Sequence, residues 1–113
     1  MSAVDRDSAR HYRWGEVCDG WHLLERTDLS VIEERVPAGA REARHRHARA
    51  RQFFYILSGD AVMELDGRLV PLGPGQGLEI PPGCAHQLRN ESASDVRFLV
   101  ISMPTTRGDR DDL

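Results

Sequence analysis

Turn-forming residues recur so closely along this chain that no long helix fits between them. Pro37-Ala38-Gly39, Ser58-Gly59-Asp60, Asp66-Gly67, Gly73-Pro74-Gly75 and Pro81-Pro82-Gly83 cut the stretch from Gly20 to Met103 into short pieces, and none of them keeps a helical apolar period over several turns. The pieces are of strand length. They read as Trp21 to Glu25, Ser30 to Val36, Glu42 to His47, Gln52 to Leu57, Ala61 to Leu65, Arg68 to Leu72, Gly77 to Ile80, Ala85 to Arg89 and Val96 to Met103. Strands this short, separated by turn chemistry, specify an all-β domain built as a barrel or sandwich. The clearest hairpin is at Asp66-Gly67, flanked by Met63, Leu65, Leu69 and Val70, because glycine accepts the positive φ that a type I′ turn requires.

With 113 residues the chain has room for one modest core and one domain. The expected organisation is an N-terminal arm over residues 1–20, a barrel over 21–103 and a polar tail over 104–113. Trp14 and Trp21 are expected to pack on the barrel or on a partner subunit. The longest apolar run, Phe53 to Leu57, is five residues, too short to cross a bilayer, and residues 1–10 hold no apolar stretch of the kind a secretory signal needs. A cytoplasmic protein is expected. Fifteen basic against eighteen acidic residues leave a net charge of -3, so neither nucleic acid nor a membrane is expected as partner. All fifteen basic residues are arginine, which points to a GC-rich bacterial genome rather than to a chemical need. Cys18 and Cys84 are expected to be reduced thiols. Arg107-Gly108-Asp109 is the tripeptide that integrins recognise, but three residues recur by chance and no adhesive role is read from them.

His45 and His47 are one residue apart, so in a strand both imidazoles point to the same face, close enough to chelate one ion. Gln52 follows after a distance that allows a turn and re-entry into the next strand, and His86 begins a strand after Pro81-Pro82-Gly83. Three imidazoles and one oxygen suit a borderline divalent ion and leave coordination positions open for water or substrate. The arginines at 41, 44, 46, 49 and 51 could form a nucleic-acid patch. Arg44 and Arg46, however, alternate with the histidines and point outward if these point inward, so a solvated or dimer-facing surface is expected.

The frame around these residues has a recognisable spacing. Gly39, five residues, His45-x-His47, four residues, Gln52, six residues and Gly59 form one motif; Gly75, five residues, Pro81-x-Gly83, two residues, His86, three residues and Asn90 form a second. With both motifs the sequence resembles the cupin superfamily, specifically the small single-domain cupins. The resemblance implies a double-stranded β-helix, a small jelly-roll barrel, with one metal ion in its wider end held by His45, His47, His86 and Gln52. It also implies a homodimer. Gln52 stands where such cupins usually carry glutamate. Its amide oxygen can still ligate, as in some cupin isomerases, but it brings no negative charge, so the ion should bind less tightly and act more strongly as a Lewis acid.

The function implied is that of a metal-dependent enzyme acting on a small oxygen-bearing organic molecule, with Fe, Mn, Ni or Zn as the ion. Iron would suit dioxygenase chemistry; zinc, nickel or manganese would suit an isomerase, cyclase or lyase. The alternative is a non-catalytic barrel that binds a metabolite or sugar. Proton transfer would need a group other than Gln52, and Glu33, Glu79 and Tyr55 are the candidates. Parity places Gln52, Phe54 and Ile56 on the inner face and Phe53, Tyr55 and Leu57 on the outer one, which the arm, a second sheet or another subunit should cover.

Overall fold

The computed structural model describes residues 2–113, so Met1 of the expected arm lies outside it. Every regular element among the described residues is a strand: β1 (Arg10–Trp14), β2 (Cys18–Glu25), β3 (Ser30–Val36), β4 (His45–Arg46), β5 (Arg51–Ser58), β6 (Ala61–Leu65), β7 (Arg68–Leu72), β8 (Gly77–Ile80), β9 (His86–Arg89), β10 (Val96–Met103) and β11 (Asp111–Asp112). They form two antiparallel sheets, β1-β2-β3-β10-β5-β8 and β11-β4-β9-β6-β7. Among the described residues no helix is long and apolar enough to cross a membrane.

Alternation along the strands builds the core. Phe54 and Ile56 of β5, Met63 of β6, Leu88 of β9 and Phe98 and Val100 of β10 are all buried between the sheets. β5 runs with strict period two, leaving Phe53, Tyr55 and Leu57 outward at 41%, 37% and 37% exposure. No element among the described residues covers them. Leu99 and Ile101 of β10 stand beside Tyr55 and Phe53 in the same register, so the outer face carries a continuous apolar strip. The hairpin at Asp66-Gly67 has positive φ at both residues, 49° and 87°, as its sequence requires.

Both chain ends join the sheets. β1 and β2 pair from Arg10↔His22 to Trp14↔Cys18, which places residues 10–14 and 18–20 in the larger sheet, and Trp14 packs on the core. At the other end Asp111 and Asp112 pair with Arg46 and His45. The segment expected as a strand from Glu42 to His47 is regular only over His45–Arg46. The Glu42 side chain accepts the Leu88 N–H at 2.9 Å, taking a ladder bond that a backbone carbonyl would otherwise make.

Asp19, buried on β2, accepts hydrogen bonds from Arg35 and lies 2.8 Å from a ring nitrogen of His11. Burial alone would raise its pKa, but these partners hold it below the ordinary carboxylate range. Its stabilising contribution is therefore complete above the unfolded pKa and is lost as pH falls through the lower, folded one. Asp19→Asn should cost about 2 kcal/mol at pH 7 and little once wild-type Asp19 is protonated, which urea unfolding at neutral and acidic pH would measure.

Candidate metal centre

β4 and β9 meet at a single registered pair, His45↔His86, and His47, one residue beyond β4, faces the same way as His45. Their ring centroids are 4.8 Å (His45 to His47), 4.4 Å (His45 to His86) and 5.9 Å (His47 to His86) apart, and all three residues are buried. One nitrogen from each lies within 4.8 Å of the others. In every case Nδ1 faces a backbone carbonyl: His45 that of Ala43 at 2.8 Å, His86 that of Cys84 at 3.0 Å, and His47 that of Asp109. Nδ1–H donation to these carbonyls leaves the three Nε2 lone pairs free, as in imidazoles that bind metal.

Two buried polar atoms here have no hydrogen-bond partner, His86 Nε2 and Gln52 Oε1. The Gln52 amide nitrogen donates to Ser102 Oγ at 3.1 Å, and this bond leaves its oxygen as the free end. Unpartnered buried acceptors are costly, and a cation is the partner both would accept. Burial pushes His45 down to about 4 and lowers His86 as well, so both rings are neutral at pH 7, the state a metal needs. The donor set thus fits a divalent transition ion.

A cavity of about 190 Å³ opens at the cluster, and its wall includes Gln52, Phe54, Trp14, Ile32, Tyr12 and Glu34. Tyr12, Gly20 and Glu34 are cross-strand neighbours on β1, β2 and β3. With glycine in the middle, the Tyr12 ring lies over Gly20 so closely that a Cβ there would sit 2.2 Å from it, and the Tyr12 hydroxyl donates to Glu34 Oε2 at 2.8 Å. Burial pushes Glu34 up to about 7 and Glu42, deeper in the same wall, up to about 8. Of the three proton-transfer candidates named from sequence, none lines this cavity. Glu33 pairs with Arg97 at 2.7 Å, Glu79 with Arg51, and Tyr55 lies on the outer face. Strand alternation puts Glu34 on the face of Ile32, and only the pairing across β2 sets that face beside Tyr12 in the cavity wall.

The cysteines are free thiols. Cys84 lies 3.2 Å from an Asp66 oxygen outside the cavity, and burial pushes both thiols up to about 11, away from nucleophilic use. Arg44 pairs with Glu64 at 2.6 Å and Arg46 with Asp111 at 2.9 Å, so both point away from the histidines. The carboxylate of Asp109 is buried beneath three backbone N–H groups, those of Ala48, Arg49 and Ala50, so the Arg107-Gly108-Asp109 tripeptide presents no free acid.

Residues 32–102 match the family described as "Cupin domain". The chain is a cupin. Among curated proteins it shares 31% identity over 75 residues with the uncharacterized protein MJ1618 of Methanocaldococcus jannaschii, covering 66% of this chain and 60% of that one. It shares 34% over 66 residues with polyketide synthase CurC of Streptomyces cyaneus, covering 58% and 43%. The match thus spans less than two thirds of the length of each of these relatives. Among solved structures, KdgF from Halomonas sp. superposes with a TM-score of 0.84 over 93% of this chain and 94% of its own, at 20% identity, a likeness of fold.

Proposed function

We propose that this cupin is a metal-dependent enzyme that moves protons on a small, enolisable, oxygen-bearing molecule, in an isomerisation, cyclisation or elimination. The observation that carries the reading is the placing of the Tyr12–Glu34 pair in the wall of the same cavity as His45, His47 and the unpartnered Gln52. His45, His47, His86 and Gln52 would hold the ion, with iron, manganese, nickel and zinc all suited to the donor set. A divalent ion bound there would supply Lewis-acid polarisation of a substrate oxygen.

Glu34, its pKa raised by burial, accepts in its ionised form a proton from a carbon beside the substrate carbonyl. It returns that proton to another carbon in an isomerisation, or to a departing hydroxyl that leaves as water in an elimination. Tyr12 donates to Glu34 and holds the carboxylate in place, while Trp14, Phe54 and Val100 supply an apolar part of the wall. Similarity to a polyketide synthase supports this substrate type, because polyketide chains carry carbonyls flanking acidic C–H bonds.

Elemental analysis of untagged protein incubated with Fe²⁺, Mn²⁺, Ni²⁺ or Zn²⁺ is expected to find close to one ion per chain; no bound ion with any of them removes the metal from the reading. Metabolites incubated in D₂O with the loaded protein should include one that gains deuterium at carbon. A compound that binds but exchanges nothing would make this a binding barrel. Gln52→Glu should bind the ion on the order of tenfold more tightly and turn over more slowly, whereas Gln52→Ala should weaken both. Equal metal affinity in all three proteins would place Gln52 outside the ligand set.

We also infer that a second copy of the chain covers the strip of Phe53, Tyr55, Leu57, Leu99 and Ile101. Light scattering at micromolar concentration should return a dimer mass, and Tyr55→Glu a monomer. A monomeric wild type would overturn the inference.

A further inference from the structure

The cavity at the histidines is too small to be the whole substrate site. Its 190 Å³ falls short of the roughly 300 Å³ at which small-molecule sites begin. Tyr12, Ile32 and Thr106 line both this cavity and a groove of about 630 Å³, so the two spaces adjoin at these residues. A metabolite reaching the histidines would extend into the groove.

The groove has a marked charge. Arg10, Arg26 and Arg107 line it, with Glu25 its single carboxylate. Glu25 is engaged by Arg10 and lies 3.6 Å from His22 Nδ1. Arg26 donates only to the backbone carbonyl of Glu25, at 2.8 Å. Among the described residues neither Arg26 nor Arg107 forms an ion pair within the chain, and both are exposed. They come from distant parts of the sequence, the β2–β3 turn and the segment after β10. The Thr105 N–H donates to the Thr27 carbonyl at 3.3 Å and joins the two segments. Two unpaired guanidiniums on one rim form a recognition element for an anion with two or more oxygens.

We propose that this groove is the anion subsite of the substrate, taking a carboxylate or phosphate at the end remote from the histidines. The proposal rests on the reading that the reacting end occupies the histidine cavity, and it gives the substrate class as an enolisable carbonyl compound with an anionic tail. Arg26 and Arg107 bind the anion, Arg10 adds to the local field while tied to Glu25, and Tyr12 forms the divide between reacting end and tail.

The test uses inorganic phosphate and malonate as probes, titrated at low ionic strength into the full-length protein while the arginine Nε–H signals are followed by NMR. The Arg26 and Arg107 signals should move to saturation with at least one probe, while Arg68, exposed on β7, stays still. Saturation with phosphate alone identifies a phosphate tail, and with malonate alone a carboxylate. Arg26→Ala combined with Arg107→Ala should weaken binding about tenfold or more. The same titration of the His45→Ala, His86→Ala protein should be unchanged, so a failure of the metal reading leaves this result standing, and the reverse. Shifts that rise linearly with both probes and are shared by Arg68 would show general screening and overturn the subsite.

Discussion

Glu34→Gln is expected to lower turnover by roughly 10²–10⁴-fold, the usual contribution of one positioned proton-transfer group, without altering metal content. Glutamine keeps the shape of the side chain and can still accept the Tyr12 hydroxyl, so the wall of the cavity should survive. Deuterium uptake from D₂O by the identified substrate measures the first effect and elemental analysis the second. His45→Ala with His86→Ala should instead lose metal and turnover together. A wild-type rate in Glu34→Gln would remove Glu34 from the reaction.

The same substitution should stabilise the metal-free fold at alkaline pH. Glu34 faces Tyr12 across Gly20, with Glu42 and Arg110 in the same cavity wall, and its pKa moves from 4.5 to about 7 mainly through burial. A carboxyl group whose pKa is raised by folding favours the folded state when protonated, so its cost grows as pH climbs from the unfolded value to the folded one and is complete above it. Removing the charge should therefore add on the order of 2 kcal/mol at pH 8, after discounting for the access of water to the cavity, and almost nothing at pH 4. Thermal unfolding at the two pH values measures the difference. A group that costs stability yet sits at the reacting end of a cavity is what a functional role predicts.

Asp109→Ala is expected to cost about 3 kcal/mol and to weaken metal binding about 10–100-fold. The Asp109 carboxylate accepts the N–H groups of Ala48, Arg49 and Ala50 at 2.8, 3.0 and 2.9 Å, closing the turn between His47 and β5. Its own carbonyl accepts the His47 ring. One residue thus fixes both the loop that leads into Gln52 and the orientation of a metal-binding imidazole. The strap it belongs to is secured further on, where Leu113 N–H donates to the Arg44 carbonyl at 2.9 Å and Asp112 pairs with His45. Urea unfolding reports the stability, and competition with a chelator reports the affinity. Asp109→Asn, which keeps one carboxamide oxygen, should fall between wild type and alanine. Unchanged metal affinity in a folded Asp109→Ala protein would show that the strap closes the loop without orienting His47.

Much of the barrel was legible because its strands are buried on one face. Ser30–Val36, Ala61–Leu65, Arg68–Leu72, Gly77–Ile80 and Val96–Met103 begin and end in the structure where turn residues and apolar patterning place them. β1 and β11 carry no such signal. Arg10–Trp14 is a mostly exposed edge strand, held by its pairing with β2 and by the contacts of Tyr12 and Trp14, and Asp111–Asp112 is exposed throughout and held by its pairing with β4, so neither leaves an apolar period to read.

By itself the sequence determined an all-β cupin barrel and the convergence of His45, His47 and His86, because side-chain parity within a strand is local and the motif spacing covers the rest. Only the tertiary structure decided what surrounds them. Tyr12 reaches Glu34 because three strands align with a glycine between the two side chains, and Asp109 reaches His47 across 62 positions of chain. Register between strands is set by turns, bulges and packing acting together, including the shift between His22 and Leu24 where β2 meets β3. No local pattern carries that information, so the groups proposed to move protons and fix the imidazoles come to light only when the sheets are closed.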